Sequence, residues 1–537
     1  MTRHIPTRRG QPILALLVHI IVLIALAAAW MGVDSRALGV QESLSLISAI
    51  LVGLSVWLAL SWWLAEGELL NPYGLFLLGS MPFHVGYAFL RLINQDHLIW
   101  LRGSVTEAQL LVTLAFVTGC YALLHFGALA VSAAGQKRDG LPLPVFDGTR
   151  VYQVGWLLLA ISLVPLLIRL KGSIDTVMSG GYSSLFEGGG RDPSGMPGIV
   201  ALISEFYLPG VMFLLAGSQN RRFGQVVALA ALVLYSGTYL FLGFRAFSLI
   251  PIAAFVWVWH RCIRRLPVFP VVASGVGLFL IVAPLVRRVR DMAGADRMSL
   301  ESIWQAYTGA DNPVLSLIAE LAGSVLTIAF TIELVPDVRP FEWGYGYLQA
   351  LVNAIPIWEM PDAYGYAGSW LAWHVTPQLA VGGFGLGFSF MAEAYLNFGF
   401  LGGAVMVGLI GALVAGAQKW ADRAIDPARV AFIAAFLPIL IFFTRGESLS
   451  ITRPILWYAL IPLVMVYVLR LLDRRIAGVP PSKKRHPPAF SDDRMPEALR
   501  REPPGWGGST ASVPSSTGHH PEQAPPAPGD TLRLHRD

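Results

Sequence analysis

Charge is what this sequence has least of. Only 14% of its 537 residues are Asp, Glu, Lys or Arg, while 55% are hydrophobic and mean hydropathy is +0.58. Soluble domains carry about 25% charged residues, so the composition excludes one and predicts a polytopic membrane protein. Cysteine is nearly absent: Cys120 and Cys262 have no ligand spacing, which leaves no disulfide framework and no cysteine metal site. Several catalytic motifs are missing too. Without a Walker loop there is no ATP-driven pump module. Neither HExxH nor an Asp/Glu cluster is found, so metal-dependent hydrolysis has no support, and no metal or cofactor is expected. A GxSxG elbow and a dinucleotide fingerprint are lacking as well; the GxG pairs Gly344/Gly346 and Gly385/Gly387 fall in loops or where a helix begins. Nucleic acid is excluded as a partner, because the basic residues line one membrane face.

What is there is a series of apolar runs of about 20 residues, the length that crosses a bilayer. They predict an all-α protein of about twelve spans near 13–31, 44–65, 73–93, 108–133, 151–170, 199–217, 225–242, 246–260, 267–286, 389–417, 430–444 and 454–471. The first run follows Arg3, Arg8 and Arg9 like a signal peptide, with Ala27, Ala28 and Ala29 as a candidate cleavage site. Its length and the spans behind it favour an uncleaved helix. An even count puts both termini on one side. Short basic loops then fall together: Lys137, Arg138 and Arg150; Arg221 and Arg222; Arg261, Arg264 and Arg265; Lys419, Arg423 and Arg429; and Arg470, Arg474 and Arg475. The positive-inside rule makes that side cytoplasmic. Four regions follow: an N-terminal bundle (1–286), a large periplasmic loop (287–388), C-terminal spans (389–475) and a Pro-, Ser- and Gly-rich cytoplasmic tail (476–537) expected to be disordered.

Polar chemistry gathers at the outer boundary. In the stretch 382–403, Ser389, Glu393 and Asn397 recur every fourth residue and share one helix face. Lipid offers such groups no partners, so they either cap and glue helices or line a polar site. Gly399 and Gly403 form a GxxxG step that Gly408, Ala412 and Gly416 continue, a face suited to close helix approach. Loop 171–198 holds a flexible glycine-rich stretch around Arg191. In the large loop, 314–331 reads as a helix lying on or dipping into the membrane, since Glu320 argues against a plain span. Trp343, Tyr345, Tyr347, Trp358, Tyr364, Tyr366, Trp370 and Trp373 follow, either as an interfacial belt or as stacking surfaces for sugar rings.

Arginines on the outer side oppose the usual charge bias, so each is paired with an acid or holds an anion. Arg245, Arg287, Arg288, Arg290, Arg297, Arg339, Arg445 and Arg453 are placed there, with Asp291, Asp337 and Glu447 as nearby acids. The guanidinium fork suits phosphate oxygens. A lipid-borne pyrophosphate is therefore the expected ligand, with Arg191, Arg245, Arg445 and Arg290 as its binders and Arg339, Arg453 and Asn397 in support. Among other polar residues, His84 and His125 read as hydrogen-bonded packing. Glu205 reads as a partner for an outer arginine.

The order of these features resembles a known family. A many-span first half precedes the sequence Gly243, Phe244, Arg245 at a helix end. A large outward loop then leads through a glycine-rich stretch into EAYLNFGFLG (393–402), and a late outward Arg445 follows. Over roughly 13–475 this resembles the O-antigen polymerase family, oligosaccharide repeat-unit polymerases of the bacterial inner membrane. The resemblance implies a GT-C-like glycosyltransferase with a periplasmic active site. Its donor and acceptor would be undecaprenyl-pyrophosphate-linked glycans, and a flippase and chain-length regulator would be its partners. The acceptor hydroxyl then needs a base, for which Glu393 and His374 are the candidates. An O-antigen ligase and a lipid-linked glycan transporter are the alternatives.

Overall fold

The computed structural model describes residues 11–35, 39–135, 145–186, 195–289, 299, 301, 304–305, 312–355, 358, 360 and 364–476, with the backbone alone at 32–35 and 287–289. Among them the secondary structure is helical, apart from an isolated bridge between Val145 and Ile425. Hydrocarbon leaves the backbone no partner but itself, and the helix satisfies it within one segment. Helices appear at every predicted span. They are α1 (Pro12–Ser35), α2 (Val40–Glu66), α3 and α4 (Pro72–His84 and Gly86–Leu92), α5 (Glu107–Ala134) and α6 (Thr149–Gly180). Then come α7 and α8 (Gly198–Ser204 and Tyr207–Gly217), α9 (Arg222–Leu242), α10 (Arg245–Val258) and α11 (Val268–Val289). Among the described residues, eleven helices are long and apolar enough to cross a membrane, or twelve if α3 and α4, bent by 50°, are one span.

Pro313–Leu334 is one of those eleven. It consists of α12 (Pro313–Ala322) and α13 (Ser324–Leu334). Midway along it, Ala322 packs on Gly86, and Glu320 forms an ion pair with Arg245 at the first residue of α10. Just past its end, the Glu342 amide donates to the Leu396 carbonyl at 3.1 Å. The sequence expectation of a helix lying on or dipping into the membrane thus meets a segment with the length and apolarity of a span. Three short helices follow: α14 (Tyr345–Val352), α15 (Ala367–Val375) and α16 (Pro377–Val381). The chain closes with α17 (Phe390–Asp422), α18 (Pro427–Phe443), α19 (Ser448–Pro454) and α20 (Ile461–Ile476). A π-helical turn at Ile455–Leu460 makes α19 and α20 continuous, so the last span begins at Ser448, six residues before the expected 454. Likewise α6 runs on to Gly180, through what the sequence suggests is loop.

The basic loops meet at one end of the bundle. Arg150 bonds Asp473 (2.6 Å), Arg470 bonds Asp426 (2.9 Å), Arg261 bonds Asp422 (2.6 Å) and Lys419 bonds Glu66 (2.7 Å). The Phe146 amide also donates to the Ile425 carbonyl (3.0 Å). At the other end Asp96 gathers Arg102 (3.1 Å), Tyr87 (3.3 Å) and Arg91 (3.4 Å).

Glycine sets how closely the central helices approach. A Cβ on Gly127 of α5 would lie 2.1 Å from the Gly408 carbonyl oxygen, and one on Gly411 would lie 2.0 Å from that of Leu124. The small-residue face of α17 therefore does seat a helix, namely α5. Its members differ from the expected set, because Gly416 has open space beside it and Gly399 breaks the helix. A second seam joins α6 to α8, where Gly155 meets Leu214 and Gly217 meets Tyr152. These contacts give a direct test. Gly411→Ala should cost about 1–3 kcal/mol, as overpacking does, and lower the melting temperature in detergent. Gly416→Ala should leave it unchanged or higher.

Candidate functional site

Glycine and one carboxylate build the site. At Gly399 the backbone takes φ +67°, ψ −162°, which divides α17 into a short segment at 390–398 and a spanning part beyond. The short segment buries all three residues of the predicted polar stripe. Ser389 caps it, accepting from the Met391 amide (3.2 Å), and its hydroxyl lies 2.9 Å from His84 Nε2. Asn397 donates to the Glu393 carbonyl (2.9 Å) and accepts from the Gly344 amide (3.0 Å), fastening the preceding loop. Glu393, only 4% exposed, turns its carboxylate to the start of α19. Both of its oxygens accept from the Ser448 amide (3.0 and 2.9 Å), and Oε1 also accepts from the Ser448 hydroxyl. A buried acid thus caps a helix 55 residues further along the chain.

Immediately before Ser448 lies turn 445–447. The Phe388 amide donates to the Arg445 carbonyl (3.3 Å), and the Arg445 guanidinium reaches the Leu386 carbonyl (3.4 Å). Gly387 adopts φ +76°, and a Cβ there would stand 2.7 Å from Arg445 Nε. The glycine-rich stretch is therefore a bed for that side chain. Behind it, the buried Tyr347 hydroxyl titrates well above its usual range, first through burial and then through Glu393.

Arg445 and Glu447 face a cavity of about 780 Å³. Its polar residues include Arg169, Glu205, Arg445 and Glu447; an apolar wall of Tyr235, Tyr239, Phe247, Pro438, Ile439 and Phe442 extends from them along α9, α10 and α18. Arg169 forms an ion pair with Glu205, which answers the sequence expectation that Glu205 meets an arginine. Residue 169 follows the start of α6 at Thr149 by 20 residues, about 30 Å of helix and thus one hydrocarbon thickness.

Of the predicted site residues that are described, Arg445 alone lines the cavity. Arg191 and Arg290 lie outside the described residues. Arg245 sits on α10 and pairs with Glu320, away from the lining. Arg339, 3% exposed, bonds Glu342 (3.0 Å) rather than the expected Asp337. Its guanidinium lies 5.0 Å from the Tyr364 ring and 5.1 Å from the Trp370 ring, so this part of the aromatic run packs on an arginine. Arg453 is helical and donates to the Asn353 carbonyl (2.6 Å). Exposed His374 bonds the Trp370 carbonyl through Nδ1 (2.8 Å), while its neighbours Ala372 and Trp373 line the cavity. Glu393 and Asn397 stand behind the wall. His125 lies between Ser61 (2.6 Å) and Tyr73 (3.0 Å), as packing predicts.

Sequence reasoning omitted Arg169, Glu205 and Glu447 from its site. Arg169 falls at the end of the predicted span 151–170, where a charge reads as a helix terminus.

The sequence model of a family described as O-antigen polysaccharide polymerase Wzy matches residues 13–474 of this chain. Neither a curated protein nor a solved structure matches it.

The Glu393 cap sets a stability expectation. Glu393→Ala leaves the buried Ser448 amide and hydroxyl without their acceptor, a loss of about 1–3 kcal/mol for such a group. Glu393→Gln retains a carbonyl oxygen for the amide and should lose less. Thermal unfolding of the two purified variants in detergent checks that order.

Proposed function

The chain belongs to the O-antigen polysaccharide polymerase Wzy family, and on that premise we propose that it joins undecaprenyl-pyrophosphate-linked repeat units at the periplasmic face of the bacterial inner membrane. The product would be O-antigen, capsule or exopolysaccharide. The observation that carries this reading is the cavity, whose polar residues include Arg445 on its glycine bed and whose other wall is aromatic and aliphatic. A polyprenyl pyrophosphate divides its chemistry the same way. In the reaction, the glycosyl–phosphate bond breaks and its electron pair leaves on the pyrophosphate. The acceptor hydroxyl bonds the anomeric carbon and releases a proton. Charge grows on the leaving group, where a fixed guanidinium beside an apolar wall is worth more than in water.

Sidedness has its own support. The opposite end of the bundle gathers the basic loops, and the positive-inside rule assigns such loops to the cytoplasm. A flippase would then supply the lipid-linked units from within, and a chain-length regulator would act on the growing polymer.

The test is a gene deletion complemented with variants, read as surface polysaccharide on gels. The deletion and Arg445→Ala should show single-repeat glycans, with polymerisation down about 100-fold or more, as when a transition-state donor is lost. Gly387→Ala should follow Arg445→Ala, because the added carbon would stand 2.7 Å from Nε and push the guanidinium off its bed. Arg245→Ala should lower the amount of folded protein and leave polymer made by the remainder. Full-length polymer with Arg445→Ala overturns the reading. Long polymer held on its carrier lipid in the deletion strain would instead mark a ligase.

A further inference from the structure

Helices α9 and α10 present a different face to a second cavity, of about 550 Å³, whose third side is α11. Leu229, Val233 and Leu240 of α9, Phe255 of α10, and Leu278 and Val282 of α11 are among its lining residues. Its hydroxyls are turned away: Ser236 and Ser248 are buried, and Ser248 donates to the Ser236 carbonyl at 2.7 Å. At Gly237 the groove is roomy, for a Cβ there would meet no described atom within 4 Å. From Leu229 to Leu240 it follows α9 for about 16 Å, half of the ~30 Å hydrocarbon thickness.

One end of this apolar groove is basic. Leu266 lines it and directly follows Arg264 and Arg265, both exposed. Arg222, also exposed, begins α9 on the stripe that carries Leu229, Val233, Ser236 and Leu240, at i, i+7, i+11, i+14 and i+18. Asp422 and Glu68 reach the same stretch but are taken by Arg261 (2.6 Å) and His260 (3.3 Å). Toward the opposite end, Arg245 is engaged by Glu320. The groove therefore offers hydrocarbon contact along its length and positive charge at one mouth.

We propose that this groove binds an anionic phospholipid from the leaflet at the basic end, with its phosphate on Arg222, Arg264 and Arg265 and one acyl chain against α9, α10 and α11. Basic pockets between membrane helices take such headgroups. The guanidinium fork meets phosphate oxygens in pairs, and the arginine stems lie along apolar surface while their heads stay at the boundary. The length of the groove suits one acyl chain; an undecaprenyl chain is far longer. The site does not depend on the polymerase reading. It does adjoin the first cavity, since Tyr235, Tyr239 and Phe247 of the same two helices line that one. The bound lipid backs the apolar wall of the candidate site.

Full-length protein, purified and delipidated in neutral detergent, is titrated with dioleoyl phosphatidylglycerol or dioleoyl phosphatidylcholine, and bound lipid is read by native mass spectrometry. Phosphatidylglycerol should bind about tenfold or more tightly than phosphatidylcholine. Arg222→Gln, Arg264→Gln and Arg265→Gln should each weaken it about fivefold, the worth of one basic residue beside an anionic headgroup, and leave phosphatidylcholine unchanged. Gly237→Phe puts a ring into the open groove, so it should lose both lipids there while its melting temperature holds or rises. Equal affinity for the two lipids, or wild-type affinity for phosphatidylglycerol in the triple arginine variant, overturns the proposal. Wild-type affinity in folded Gly237→Phe overturns the groove as the seat. Displacement of phosphatidylglycerol by undecaprenyl phosphate at equal concentration gives the groove to the carrier lipid and overturns it too, as does a dimer that carries no lipid.

Discussion

The bond between Glu393 and Ser448 is the constraint on which the candidate site depends. One carboxylate, buried where lipid and protein leave it no water, takes both the amide and the hydroxyl of a single serine. That serine begins the last span, so the bond fixes where α19 starts and where the preceding turn ends. The same helical segment is fixed from behind, by His84 at Ser389 and by the Gly344 amide at Asn397. Turn 445–447 is therefore held against two helices that are far apart in sequence. Arg445 and Glu447 extend this frame, through the Phe388 amide on the Arg445 carbonyl and the Ala367 amide on the Glu447 carboxylate.

Much of the fold was legible because a bilayer imposes a length. Every apolar run of about 20 residues became a helix, and the basic loops came together at one end, since desolvating charge is costly wherever lipid is near. The reading failed where backbone conformation decides. Nothing in the run 389–417 marks Gly399 as a break, for glycine is tolerated in membrane helices and only its φ of +67° reveals the role. The glycine face was recognised as a packing surface, and Gly408 and Ala412 meet α5 as expected. Gly411 joins them, while Gly416 has open space beside it.

The candidate site was less legible, since its pairs form at long range. A search for acids near each outward arginine finds Asp337 for Arg339 and none for Arg245. The structure gives Arg339 to Glu342 and Arg245 to Glu320, the latter 75 residues away. Arg169 escaped because a charge at the end of an apolar run looks like a helix terminus. The helix instead continues to Gly180, so Arg169 is internal to it. Glu447 was visible only as a counter-ion, and its bond to Ala367 could not be read across 80 residues.

Sorting the arginines by what holds them shows how the protein separates structure from chemistry. Arg102, Arg245 and Arg339 are largely buried and each has an acid partner. Removing one member of such a pair leaves a desolvated charge behind, a loss of about 3–5 kcal/mol. Binding a phosphate at any of these arginines would require giving up that partner. Arg445 is more exposed than these: its guanidinium reaches the Leu386 carbonyl and lies over a glycine beside the cavity. Its side chain lines the cavity where the apolar wall of α9, α10 and α18 begins, so an anion entering along that wall would meet it there.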